Sequence, residues 1–201
     1  FARIPKIFIN SLMVAILLLP VVQFARNYRI NNQSKNYIAY EFNIDILKTL
    51  DKDSVLFAAD DNVMFPLAYF KMVERIRPDV TIYDDYGWIF EKIFGDEFLY
   101  LNKYEQMKKR EEIFKKIIKE SSKPIYFTAD SKVEGAKDFV SKEAGLVFKV
   151  IKDKKETGLI ENSYLWEKRY LRESIYNDAN YFDMFSRHLA GIYRLFYGNY
   201  L

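Results

Sequence analysis

Between Lys6 and Arg26 lie nineteen consecutive positions without a charge. As a helix, residues 7–25 span roughly 28 Å, close to the hydrocarbon thickness of a bilayer. Only Asn10, Ser11 and Gln23 interrupt the apolar run, and Pro20 is a kink of the kind membrane helices tolerate. A secretory signal needs small residues ahead of its cleavage point, which Gln23-Phe24-Ala25 does not supply. A buried soluble helix of this length rarely lacks charge on every face. The pattern therefore predicts a transmembrane helix. Arg3 and Lys6 on one side are balanced by Arg26 and Arg29 on the other, so charge does not orient it.

Beyond a polar link the periodicity changes. Tyr37, Tyr40, Ile44, Leu47 and Leu50 recur at three and four, predicting an amphipathic helix that stops near Asp51. Residues 54–59 read as a short apolar strand. Phe65-Pro66-Leu67-Ala68-Tyr69 opens a helix, and Pro78 separates that helix from a second strand at 80–83. Tyr100, Tyr104, Met107, Phe114, Ile117 and Ile118 mark a long helix. Pro124 opens a third strand, residues 133–143 read as a short helix, 145–150 as a fourth strand and 152–158 as a polar turn. Phe182, Phe185, Leu189, Ile192 and Phe196 then mark an amphipathic helix with Asp178 as its expected cap. Its apolar face needs a partner, either the preceding core or a following helical repeat.

Strands alternating with helices imply an α/β fold: a small parallel, Rossmann-like sheet of about four strands with the first strand central and right-handed crossovers, flanked by helices. The expected organisation is a transmembrane helix and its flanks at 1–30, an α/β domain at 36–157 and a C-terminal helical segment at 158–201.

Composition narrows the chemistry. The 31 basic and 28 acidic residues nearly cancel, so no field argues for nucleic acid. Half the residues are hydrophobic and 17% aromatic, enough for a packed core. There is no cysteine, which excludes disulfides, zinc-thiolate sites and thiol nucleophiles. The chain opens on Phe1, and a longer parent protein is expected.

The chemistry-bearing residues gather where strands end. Asp60, Asp61 and Asn62 follow the first strand, Asp84 and Asp85 the second, and Asp130 the third; in a parallel sheet these ends share one edge. Such carboxylates can hold Mg²⁺ or Ca²⁺ or accept hydrogen bonds from sugar hydroxyls. They equally cap helices and offset helix dipoles, a role that suits Asp61 or Asn62 ahead of Pro66. Arg77 is expected to form a structural salt bridge to a strand-end carboxylate such as Asp61, and the residues leave the role of the nearby Arg77 and Asp79 open. The single histidine, His188, has no cysteine or second histidine with which to share a metal, and a structural role is expected. No Walker loop, G-x-G-x-x-G or G-x-S-x-G occurs. The Lys108-Lys109-Arg110 and Lys115-Lys116 clusters alternate with Glu111, Glu112 and Glu120 as on a solvated helix face.

One block carries a resemblance. Asp61, Asn62, Phe65, Pro66, Leu67 and Tyr69, followed by Arg77-Pro78-Asp79-Val80, resemble a family of large bacterial membrane proteins of unknown function related to protein O-mannosyltransferases. The family's pattern is Gly-Asp-Asn-Asp-Thr-Phe-Pro-Leu-Trp-Tyr and then Arg-Pro-Asp-Val. Asp60, Val63, Met64 and Ala68 depart from it, and Val63 and Met64 remove an aspartate and a threonine from any metal or sugar site there. The resemblance implies a polytopic GT-C-type membrane part, then a soluble α/β region, often followed by tetratricopeptide repeats. It implies that residues 7–25 form the last membrane helix, that the α/β part lies in the periplasm or outside the cell, and that the glycosyl-transferring carboxylates belong to preceding membrane-domain loops. The expected partners are the bilayer, that membrane domain and the acceptor protein or glycan. No cofactor, metal or catalytic residue is expected in this chain. The candidate binding residues are Asp60, Asp61, Asn62, Tyr69, Arg77, Asp79, Asp84 and Asp85. A membrane-tethered interaction module without enzymatic role is the alternative.

Overall fold

A computed structural model describes residues 5–131, 139–152, 164–170 and 183–201. It divides into two units, residues 1–36 and Tyr37–Leu201. The first holds helix α1, Lys6–Asn31, whose apolar side chains, Ile7 and Leu17 among them, are exposed along its length. The stretch Lys6–Tyr28 is long and apolar enough to cross a membrane, and none of it is buried by protein.

The second unit is built on a five-stranded sheet: β1 Val55–Ala58, β2 Thr81–Asp84, β3 Ile125–Phe127, β4 Ser141–Ala144 and β5 Val147–Val150, in spatial order β2-β1-β3-β5-β4. The first three strands are parallel. The last two form a hairpin, with β5 antiparallel to β3. The sheet is thus mixed and five-stranded, where a parallel one of four was expected. The helix expected at 133–143 is also corrected. Residues 132–138 lie outside the described residues, but 141–144 form strand β4. Lys142 and Glu143 carry no apolar alternation because β4 is an edge strand, and edge strands bear charges that discourage further pairing. The polar turn expected at 152–158 lies mostly outside the described residues.

Alternate side chains of each strand serve opposite faces. Leu56, Ala58, Ile82, Tyr126 and Val147 pack against helix α2 (Ile38–Thr49), helix α3 (Asp61–Met72) and the C-terminal helix α5 (Met184–Tyr200). Val55, Phe57, Ile125, Phe127 and Val150 pack against Phe114 and Ile118 of helix α4 (Lys103–Glu120) and against Phe94 and Phe98. The result is a three-layer helix–sheet–helix sandwich.

The long helix starts later than its aromatic spacing suggested. Asn102 and Glu105 form a reciprocal capping box at Lys103, and Tyr100 belongs to a separate 3₁₀ turn, Asp96–Tyr100. Tyr100, Tyr104 and Met107 are exposed, while the buried stripe is Arg110, Phe114 and Ile118. Helix α5 is capped by Asp183, whose carboxylate accepts the Ser186 N–H at 2.7 Å; the expected cap, Asp178, lies outside the described residues. Leu189, Ala190, Tyr193 and Phe196 of α5 pack on the molecule's own core with Ile192 partly buried beside them, whereas Phe185 of the expected stripe is exposed and Phe182 lies outside the described residues. The Tyr193 hydroxyl donates to the buried Asp45 carboxylate of α2, and Phe42 meets the Tyr193 ring edge-on at 5.8 Å. Trp166, fully buried in a single π-type turn (Leu165–Arg169), meets Tyr170, Tyr193 and Tyr197.

Candidate functional site

The carboxyl ends of β1, β2 and β3 open into one cleft of about 390 Å³, lined by Ala59, Asp60, Asp61, Asn62, Met64, Asp85, Tyr86, Asp130 and Phe185. The sheet register explains why these residues meet. Phe57 pairs with Phe127 in adjacent parallel strands, so Asp60 and Asp130, each three residues further on, leave the same edge side by side. The Ala59 N–H donates to Thr128 Oγ1 at 3.2 Å and fixes the two chain exits together.

Asp60 is the N-cap of α3, with Oδ1 accepting the Asn62 N–H at 2.7 Å. The cap therefore falls one residue before the pair of residues expected to supply it, and α3 begins at Asp61, ahead of the Phe65-Pro66 step. Pro66 sits inside the helix and has no N–H to offer the Asn62 carbonyl one turn back. The buried Asn43 side chain of α2 supplies that donor instead, at 3.1 Å, and also bonds the Ala39 carbonyl at 2.8 Å. The helix start that shapes the cleft is thus pinned by a side chain of a different helix.

Asp84 and Asp85 are adjacent but differently used. Asp84 is fully buried at the end of β2, and its two oxygens accept four backbone N–H groups, from Tyr86, Trp88, Ile89 and Phe90, at 2.9–3.1 Å. It folds the loop that follows and has no oxygen turned to the cleft without a backbone donor. Asp85 lines the cleft and is itself 7% exposed. Burial pushes its carboxyl up to about 6, against the opposing pull of the Arg110 guanidinium and of Ser131, whose hydroxyl donates to it at 3.4 Å. Arg110, grouped by sequence with a solvated basic face, is buried; its Nε donates to the Asp85 carbonyl at 2.9 Å and its guanidinium lies 5.3 Å from the Tyr86 ring centre.

Three of the expected residues lie away from the cleft. Arg77 and Asp79 precede β2 and so sit at the opposite, amino edge of the sheet. Arg77 does not reach Asp61. It donates to the Leu47, Leu50 and Asp51 carbonyls at 2.7–2.9 Å and to both oxygens of Asp79. That guanidinium holds the Asp79 carboxyl well below the usual carboxylate range. Tyr69 is half-exposed on α3, where the Glu74 carboxylate raises its hydroxyl above the ordinary value, and it does not line the cleft.

The fold adds one residue that the sequence reading left without a partner. His188, from α5, brings Nε2 to 3.8 Å from Asp60 Oδ2 and 3.9 Å from Asp130 Oδ2. No local spacing signals this, since the three residues lie far apart in the chain. Next to the cleft, Tyr86 and Trp88 present half-exposed rings 5.1 Å apart, above a smaller hollow that includes Phe94 and Leu99.

No protein-family model matches the chain, and no solved structure matches it. Among curated proteins, the protein O-mannosyl-transferase tmem260 of Dictyostelium discoideum is 33% identical over 79 residues, which is 39% of this chain. The match spans 10% of that protein's length. It supports a distant link between this chain and proteins of the O-mannosyltransferase kind.

Proposed function

We propose that this chain is a membrane-anchored, non-catalytic accessory segment of a glycosyltransferase-like protein of the O-mannosyltransferase kind. Helix α1 is its anchor, the α/β unit faces the periplasm or cell exterior, and the strand-end cleft recognises the acceptor protein or the lipid-linked sugar. The observation that carries this reading is the similarity to a protein O-mannosyl-transferase in a chain with a membrane-length apolar helix. The cleft chemistry supports it. Asp61 and Asp85 offer carboxylate oxygens to sugar hydroxyls, and the exposed rings of Tyr86 and Trp88 offer flat apolar surface for the face of a sugar. The alternative, a tethered module that docks partners through α5, is less favoured because Leu189, Ala190, Tyr193 and Phe196 of that helix are already buried in the molecule's own core, leaving Met184, Phe185 and Leu195 as its exposed apolar side chains.

The test is binding of the whole chain, held in detergent micelles with a chelator present, to an array of mannosylated lipids, free glycans and acceptor peptides. Retention of at least one class, lost in the Asp61→Asn and Trp88→Ala variants, is the expected outcome. An array with no retained ligand overturns the recognition role.

A further inference from the structure

We propose that Asp60, Asp130 and His188 form a binding site for a divalent first-row transition cation, Zn²⁺ or Mn²⁺, at the mouth of the strand-end cleft. The three ligand atoms lie within 4.8 Å of one another and come from three separate elements: the end of β1, the segment after β3 and the first turns of α5. The distances carry the argument. At 3.8 and 3.9 Å the imidazole nitrogen is too far from either carboxylate for a hydrogen bond, which needs about 2.7–3.2 Å. Ligand atoms each about 2.1 Å from a shared metal stand between about 3 and 4.2 Å apart, so the observed spacing suits a common cation better than direct contact. A shift of a few tenths of an ångström, open to side chains this exposed, closes the set.

The surroundings agree. Asp60 is held by its second oxygen: Oδ1 takes the Asn62 N–H, leaving Oδ2 for the site, as outer-shell bonds orient metal ligands. Among the described residues, the side chains of Asp130 and His188 make no hydrogen bond that would compete. Among the described residues, Asp61 and Asp85 line the same cleft and no lysine or arginine does; Arg110 is held behind Asp85 by its carbonyl, so the carboxylates favour a cation. One imidazole nitrogen with two carboxylate oxygens suits Zn²⁺ or Mn²⁺ better than Ca²⁺ or Mg²⁺, which prefer oxygen alone. His188 and Asp130 are 45% and 44% exposed, so coordination positions stay open toward the cleft for water or a hydroxyl-bearing ligand.

The test uses the whole chain in micelles, stripped with chelator and titrated calorimetrically with Zn²⁺, Mn²⁺ and Ca²⁺ separately. Expected is one equivalent of Zn²⁺ or Mn²⁺ bound more tightly than Ca²⁺. Affinity should fall at least about tenfold in His188→Gln, Asp130→Asn and Asp60→Asn, and be unchanged in Asp96→Asn, which lies outside the cleft. Asn at position 60 keeps the helix cap, so that variant separates ligation from folding. His188 is the single histidine of the chain, so its ring resonances can be followed in the unmodified protein, where Zn²⁺ should shift them and Mn²⁺ broaden them. No saturable binding, tighter binding of Ca²⁺, undiminished affinity in the variants or an unmoved His188 ring overturns the proposal. Cation binding needs no sugar, and the glycan array runs in chelator, so either reading can fail without the other.

Discussion

Asp85 and Asn43 show what single residues contribute around the cleft. Asp85 has a folded-state carboxyl raised from 3.8 to about 6 by burial. A raised carboxyl favours folding while protonated, so its stabilising effect is complete below about pH 4 and is lost as pH rises through 6. Asp85→Asn removes the charge that must otherwise be buried. With chelator present, the variant should match the wild type near pH 4 and exceed it by up to about 3 kcal/mol above pH 7 in urea unfolding. Equal stabilities at both pH values would show that Asp85 is not desolvated as described. Asn43 meets the Asn62 carbonyl that Pro66 leaves without a helical donor. Asn43→Leu should cost about 1–3 kcal/mol, and Pro66→Ala in the same chain should recover part of that by restoring the helix's own bond. Residue types made the acidic strand ends legible. They did not separate Asp84, enclosed by backbone donors, from Asp85, because that difference depends on which side of the β2 exit each carboxylate faces.

At the scale of elements, the β4–β5 hairpin and the amino edge of the sheet make the sharpest statements. Gly145 opens the two-residue turn of the hairpin with φ +57, and a Cβ built there would stand 1.7 Å from the Tyr170 hydroxyl. That hydroxyl also accepts the Leu146 N–H at 3.1 Å. Gly145→Ala therefore combines a left-handed backbone with displacement of a buried tyrosine and should cost about 3 kcal/mol or more in a thermal or urea melt. At the amino edge, Arg77 ties the last carbonyls of α2 to the start of β2. Arg77→Leu should cost about 2–4 kcal/mol. It should also release Asp79 toward an ordinary carboxyl. The stabilisation from that lowered carboxyl is present above about pH 4 and lost as pH falls further, so the variant should show a shallower acid-induced loss than the wild type. The order of elements up to β3 was readable from periodicity, and Pro78 and Pro124 marked its breaks. Strand β5 was readable as well, inside the strand expected at 145–150, but its partner β4 was not, because Ser141, Lys142 and Glu143 are only partly buried on either face and so carry neither the alternation nor the apolar run that marks a strand.

The whole molecule joins an apolar helix of membrane length to a second unit, Tyr37–Leu201, whose two cores are built, among the described residues, from that unit's own side chains. Removing residues 1–36 should leave a soluble protein that unfolds cooperatively, with a melting temperature close to that of the full chain. The full chain should float with liposomes and the shortened one should not. A shortened chain that aggregates or melts without a transition would show that the sheet unit depends on α1. Sequence alone determined the membrane-length helix, the α/β class, strands β1, β2, β3 and β5 and the acidity of the first three exits, because hydrophobic period, proline and charge are local properties. Only the tertiary structure decided the direction of the last two strands, the burial of Arg110 and the arrival of His188 beside Asp60 and Asp130. Those depend on which distant segments pack together, and the energy that selects such packing is summed over the whole core.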